Sequence, residues 1–595
     1  MNSLRILVLS NTRPSRSWRF ALRLLREVPG AQICGIVQRP LAALPREQQV
    51  LARGSGNIPE PESGPLAKVR AWVQRAFESF ANTVLWCVHG CPRSLNVRPG
   101  FRVDSLAKNC ADSGWPFLET QNFEDSGVAH FANCVTPDLV VALGEASSLP
   151  HMVVPLARGW LRARSNDVVG RNSCGVTGLH IKIEHLSTDS GPSQDLTCLT
   201  LPRQSNETRL GFTLKADLIV DDLLTESAAA IQANGVANAA KTVMGFAQNI
   251  LGPYLSQVGP SRSPVPAIAR QWFRSVWSLT VETIVLCSPL IVARNWVRRL
   301  RGRYPVLILV HHLVSDRTHR MSISTEACWR QLLFLCTHYQ IVSLAKAIEL
   351  LNSSDTSQPT VALTFDDGYA DNFVSLRAVA EEFGIPVALF ITTAPVDLHQ
   401  EFQHDVIKGQ RGAFPMSWDQ IQYWKQRGAE IGSHTRTHIR CRLADRAQLM
   451  QEIAGSKEDF KSRLGDDPRF FAFPFGTRED MPFEAIHVAE SAYPHFLSAY
   501  GGENFPDAAT GNSQLFRKNA YPEPWELELE LQSVFDFVES AKRVLHLGHK
   551  ESSSIVDRPS AIAEPSFEAA PKTEESANQF LPDPSHGIQR VIKNI

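Results

Sequence analysis

Three short stretches hold residues that could do chemistry together. Asp366 and Asp367 stand side by side in FDDGY (365–369). His434 and His438 stand four apart in GSHTRTH (432–438), and FAFPFG (471–476) ends on a Pro-Phe-Gly turn. Two adjacent carboxylates repel, and each loses hydration near a core, so a pair that follows an apolar run needs a compensating charge. A divalent cation is one answer. Two neutral imidazoles and one carboxylate suit Zn²⁺ or a similar ion and leave positions open for water and substrate. One aspartate can then hold the ion, while the ion's charge keeps the other ionised as a base. The four-residue spacing of His434 and His438 puts both rings on one side of a helical turn.

The elements that must carry these residues alternate. From 304 the chain reads YPVLILVHH as a strand, TEACWRQLLFLCTHY as a helix opened by Thr325, and TVALTF as a strand. FVSLRAVAEEFG is a helix ended by Gly384, and IPVALFIT is a strand. SWDQIQYWKQRG is a helix capped by Ser417 and Gly428. A short strand AEIGSH, a long polar helix (445–464) and the strand FFAFPFG follow. Repeated βα units predict a barrel, whose active sites lie at the C-terminal ends of strands, and all three stretches stand there. The first 250 residues also alternate (5–10, 17–28, 31–37, 65–88, 137–144, 175–186, 208–232), which predicts an open, mostly parallel α/β sheet.

The composition is globular, with 43% hydrophobic and 20% charged residues, and 595 residues require more than one core. A net charge of −1 gives no field toward nucleic acid. The eleven cysteines form no CxxC, and CVHGC (87–91) lacks a second ligand pair, so reduced thiols are expected. LRILVLS near the N-terminus is a strand rather than a signal peptide, which predicts a cytoplasmic protein. Residues 275–293 form an apolar run flanked by arginines. Its gain of about 0.3–0.6 kcal/mol per strong apolar residue is largely cancelled by Glu282 at about 3 kcal/mol, so a span is disfavoured. An interdomain helix or an interfacial helix giving peripheral membrane contact through 275–303 fits better. The predicted organisation is 1–250, a connector 251–303, 304–545, and a disordered tail 546–595.

From Pro305 to Pro522 the chain resembles the NodB-type polysaccharide deacetylases, carbohydrate esterase family 4. LVHHLVSD, TVALTFDDGYADN, GIPVALFITT, MSWDQIQYWKQRGAEIGSHTRTH and FFAFPFG carry the resemblance, in order. It implies a distorted (β/α) barrel and a metal-dependent hydrolase, with Zn²⁺ the first expectation. It also implies Asp366 as base, Asp367, His434 and His438 as metal ligands, and the Phe475 N–H as oxyanion donor. An arginine that orients the base is missing from its usual place, which Ala472 occupies, leaving Arg469 and Arg517 as candidates. His312 is offered as catalytic acid or site-lining residue.

The N-terminal half resembles a Rossmann-like formyltransferase domain, on PDLVVALG (137–144), GVTGLHI (175–181) and DSGP (189–192). Arg162 and Arg164 stand where that family has its Asn and His, and only Asp189 matches. Arginine stays protonated and cannot act as a base, so a degenerate domain is expected, its arginines a candidate anion site. The function expected is removal of an N-acyl, chiefly acetyl, group from a sugar, polysaccharide or carrier-linked precursor. Alternatives are a deformylase of formamido-sugars and a bifunctional formyltransferase/deacetylase.

Overall fold

The computed structural model describes residues 3–44, 48–49, 106–144, 156, 158–169, 176–186, 193–204, 207–257, 289–317, 319–500, 502–506 and 513–534. The readings made of 65–88, CVHGC, Asp189, 275–288 and the tail lie outside them.

Seven strands build the N-terminal sheet: β1 (Leu4–Ser10), β2 (Ala31–Gln38), β3 (Phe117–Glu119), β4 (Leu139–Leu143), β5 (Trp160–Val169), β6 (Val176–Leu186) and β7 (Gln194–Pro202). Their order is β3-β2-β1-β4-β5-β6-β7. The first five run parallel and the last three form an antiparallel meander. Helix α1 (Pro14–Glu27) and the 26-residue α2 (Arg209–Asn234) pack beside it. The Thr208 side chain caps α2 by accepting from Gly211 N, 3.1 Å. α2 buries residues nearly all round its circumference because it lies between this sheet and the second half of the chain.

After α3 (Pro289–Arg301) the chain enters a second, curled sheet. Its strands are β8 (Val306–His311), β11 (Gln340–Val342), β12 (Thr360–Phe365), β13 (Ala388–Ile391), β14 (Glu430–Ser433), β15 (Phe470–Ala472), β16 (His495–Leu497), β17 (Gln514–Leu515) and β18 (Lys518–Asn519); β9 (Leu313–Val314) and β10 (Ser322–Ile323) pair separately. The order is β17-β16-β15-β14-β13-β12-β8-β18, all parallel, with β11 beside β12. β8 and β12 are buried at every position, as inner parallel strands require. The sheet is an incomplete barrel, open between β17 and β18. Asn504 spans that region, donating to the Val306 and Phe516 carbonyls and accepting from Phe516 N.

Helices α4 (Thr325–His338), α5 (Ser375–Phe383) and α6 (Trp418–Gln426) cover the barrel. Ser417 caps α6 in a capping box, and Gly384 ends α5 at φ 61°. Thr325 does not cap α4. Ser324, one residue earlier, does, its hydroxyl accepting from Ala327 N at 3.1 Å, while the Thr325 hydroxyl donates to buried Asp316 at 2.7 Å. The polar helix expected over 445–464 is present, capped by Asp445 and running to Leu464 through a π turn at Met450–Ala454.

Both sheets belong to one compact unit, and one hydrophobic core runs from Leu4, Val8 and Phe20 through Ile219 and Leu223 to Trp329, Phe365 and Phe373. Charges are buried where the halves meet. Asp222 on α2 accepts from Arg23 (2.6 Å), from both terminal nitrogens of Arg377, and from the Tyr423 hydroxyl (3.1 Å). Glu382 on α5 receives Arg13 and Arg19. The described cysteines are all free thiols. No described helix is long and apolar enough to cross a membrane.

Candidate active site

The C-terminal ends of β8, β12, β14 and β15 meet at one place. β12 stops at Phe365, and the next residues turn sharply: Asp367 has φ 70° and Gly368 φ 89°. Left-handed backbone is tolerated by Asp and natural for Gly, and here it projects both carboxylates inward. Asp366 and Asp367 are fully buried.

Asp366 is held by Arg517, between β17 and β18. Nη1 reaches Oδ1 at 2.7 Å and Nη2 reaches Oδ2 at 2.8 Å, a two-pronged pair. Arg517 is itself fixed by donating to the Ser498 carbonyl (2.6 Å) and the Thr364 hydroxyl (3.1 Å). Burial pushes the Asp366 carboxyl upward, but Arg517 and then His434 outweigh it and hold the group below its usual range. Of the two candidate arginines, Arg517 meets Asp366 and Arg469 does not. Arg469 is exposed at the opposite end of β15, 5.6 Å from the Phe470 ring. Chain distance left both open, and barrel curvature decides between them by bringing the last strands back toward β12.

Asp367, His434 and His438 bring one ligand atom each within 4.8 Å of one another. Nε2 of His438 lies 3.2 Å, and Nε2 of His434 3.5 Å, from Asp367 Oδ1. That oxygen is buried and makes no hydrogen bond. A buried carboxylate oxygen facing two imidazole nitrogens gives these three residues a donor set that could hold a metal ion. His434 Nδ1 donates to the Ala472 carbonyl (2.8 Å), which leaves its Nε2 lone pair toward Asp367. Burial depresses His434 to about 4, so the ring is neutral near pH 7 as a ligand must be.

The two histidines do not share a helical turn. His434 follows β14, and Thr435 (φ 65°) and His438 (φ 62°) are left-handed in a loop. Glu452 supports this loop, accepting from Arg436 N (3.0 Å) and Thr437 N (2.8 Å), and Thr435 Oγ1 accepts from His438 N. Phe475 (φ 58°) packs edge-on against His438 at 4.8 Å between centroids, beneath the Arg440 guanidinium. The next residue, Gly476, must be glycine: a Cβ there would lie 2.3 Å from Ala499 N. His312 is close enough to act electrostatically on both aspartates, and its carbonyl accepts from Asn372.

His404 and Asp405 belong to this site but carry no motif signal. His404 Nε2 stands 3.7 Å from Asp367 Oδ2 and 3.3 Å from the Tyr369 hydroxyl, and its ring stacks on His438 at 4.0 Å. The Tyr369 hydroxyl donates to Asp405 (2.7 Å). Burial, then His438, lowers His404 to about 4.

In the N-terminal sheet Arg162 and Arg164 lie one pleat apart on β5, opposite β6. Both converge on buried Glu184, at 2.8 and 3.3 Å. The chain itself thus supplies one carboxylate to both arginines, with Arg162 part-buried against it and the Arg164 side chain still 54% exposed; Asp189 is not among the described residues.

Residues 353–491 match the polysaccharide deacetylase family. YxkH of Bacillus subtilis (strain 168) is 24% identical over 190 residues, 32% of this chain and 63% of that protein. The Streptococcus pyogenes deacetylase PplD, solved with acetate, aligns at 18% identity and TM-score 0.33, covering 38% of this chain and 99% of its own. IcaB from Ammonifex degensii aligns at 19% identity and TM-score 0.33, covering 38% and 97%. The match thus places the pattern of a polysaccharide deacetylase domain in the C-terminal region, over residues 353–491.

Proposed function

We propose that this chain removes N-acetyl groups from an acetylated saccharide or a carrier-linked sugar precursor, using a divalent ion, Zn²⁺ first among candidates. The observation that carries the reading is a pair of adjacent buried aspartates in two different settings. Asp366 is paired with Arg517, and Asp367 faces His434 and His438 with an oxygen that has no hydrogen-bond donor.

Asp367, His434 and His438 would hold the ion. Bound there, it supplies a Lewis acid for the acyl oxygen and makes a water more acidic. Asp366, kept ionised by Arg517, takes the proton of the attacking water as its oxygen adds to the acyl carbon. The N–H of Phe475 donates to the oxygen on which charge develops. His312 returns a proton to the departing nitrogen as the carbon–nitrogen bond breaks, leaving a free amine and acetate.

Acetate release from N-acetylated oligosaccharides tests this, with Asp366→Asn as comparison. We expect release by the native chain and a loss of about 100-fold or more in the variant, the scale of general-base catalysis. Equal release by both would remove Asp366 from the base role.

A further inference from the structure

Helix α3 is amphipathic in the reverse sense. Its inward side is largely polar: Arg294 donates to the Gln532 carbonyl (2.9 Å), Asn295 donates to the Gln532 side chain (2.9 Å), and Arg298 pairs with Glu503. Its apolar residues at helical spacing face out. Ala293 is exposed, Trp296 is 53% exposed, Val297 44% and Leu300 77%. These four stand at i, i+3, i+4 and i+7, the pattern that on an ordinary surface helix points to the core. Phe505, 45% exposed and 5.9 Å from the Arg298 guanidinium, borders them. Arg299, Arg301 and Arg303 are exposed along the same stretch, and 289–303 contains no acidic residue.

We propose that this outward face of α3 docks the protein on an anionic membrane surface. An indole beside a leucine, flanked by arginines, matches the chemistry of the headgroup boundary: the rings enter the interface while the guanidinium groups meet lipid phosphates. Acidic side chains, which would repel that surface, are missing from the helix. Each arginine near such a surface strengthens binding roughly fivefold. α3 ends at Arg301, and β8 begins at Val306, so docking takes place at the N-terminal ends of the barrel strands. The candidate active site is at their other ends, roughly 20 Å away across the six residues of β8. The docked protein leaves that site open to the aqueous side.

The test is co-sedimentation of the full chain with phosphatidylglycerol vesicles and, separately, with phosphatidylcholine vesicles. The native chain should pellet with the first and bind the second at least tenfold more weakly. Trp296→Ser/Leu300→Ser should weaken binding at least tenfold, and Arg301→Gln/Arg303→Gln should do so at low salt, with unchanged circular dichroism and thermal midpoint. Should the apolar variant misfold, the arginine variant still decides the matter. The proposal is overturned if the native chain ignores phosphatidylglycerol, or if both variants bind as it does. It is equally overturned if sedimentation velocity shows a dimer that Trp296→Ser/Leu300→Ser dissolves without any vesicle binding, which would make a second copy the occupant.

Discussion

Arg517 and Asp366 are 151 residues apart in the chain, yet each oxygen of the carboxylate receives its own guanidinium nitrogen, at 2.7 and 2.8 Å, with both side chains buried. Such a pair is stabilising only while complete. Arg517→Ala should lower stability by about 3–5 kcal/mol, the cost of leaving a buried charge alone. Acetate release should fall with it. Arg517→Lys keeps the charge but not the fork, so it should recover stability better than activity. Urea denaturation and acetate release measured side by side check this.

The ligand set should respond to chelation apart from any turnover. Occupancy at about 100 times Kd stabilises the fold by about 2.7 kcal/mol, so a chelator should lower the Tm of the native protein. His434→Ala should remove that response, because it deletes the ligand whose lone pair Ala472 directs. A Tm indifferent to chelator and to added Zn²⁺ in the native chain would count against a metal centre.

His404 stands beside Asp367 Oδ2 while its ring stacks on His438. An outer partner of this kind is worth about 10–100-fold in metal affinity. His404→Ala should lose affinity on that scale, and His404→Gln, which retains an N–H donor near Nε2, should recover part of it. Titration with a competing chelator separates the variants.

His311 points away from the site, stacks on Phe365 and bonds Gln331 at 2.8 Å. Burial depresses it to about 4 against an ordinary value near 6.5. The unfolded chain therefore binds its proton first as pH falls. Stability from this group is complete above pH 6.5 and is lost between about 6.5 and 4. From pH 7 to 5 the loss should be about 2 kcal/mol, and His311→Phe should remove that share of the slope. Denaturation at the two pH values measures it.

Asp222 joins the two halves of the molecule. Burial would raise it, but Arg377 and Arg23 hold it at about 2. Asp222→Ala should destabilise by about 3–5 kcal/mol, because fully buried Arg377 loses its nearest carboxylate and its only buried one among the described residues. In the native chain this contribution is present above about pH 4 and is lost as pH falls toward 2. A fragment beginning at residue 289 should not fold stably, since Arg377 and Glu382 would lose their partners and the core its α2 layer.

Much of the site was legible in the chain. Asp366 and Asp367 follow the apolar, β-branched run TVALTF, while His434, His438 and Phe475 follow the shorter strands EIGS and FFA. Motif order and strand ends are local properties, and parallel barrels collect such ends at one face. Ser417 and Gly384 were readable for the same reason, since capping depends on neighbouring residues. Thr325 misled by one position, because the neighbouring Ser324 offers the same capping hydroxyl to Ala327 N.

The sequence by itself determined which residues are candidates for the chemistry and which strands deliver them, because period, turn residues and spacing act over a few positions. Only the tertiary structure decided which arginine holds Asp366, that His404 and Asp405 stand beside Asp367 and His438, and that Arg162 and Arg164 pair with Glu184. It also turned the apolar side of α3 outward and placed Asp222 among arginines from both halves. These depend on how far-separated segments meet in a curled sheet and a shared core. A charge or ring acts on whatever lies within a few ångströms, whatever its distance along the chain.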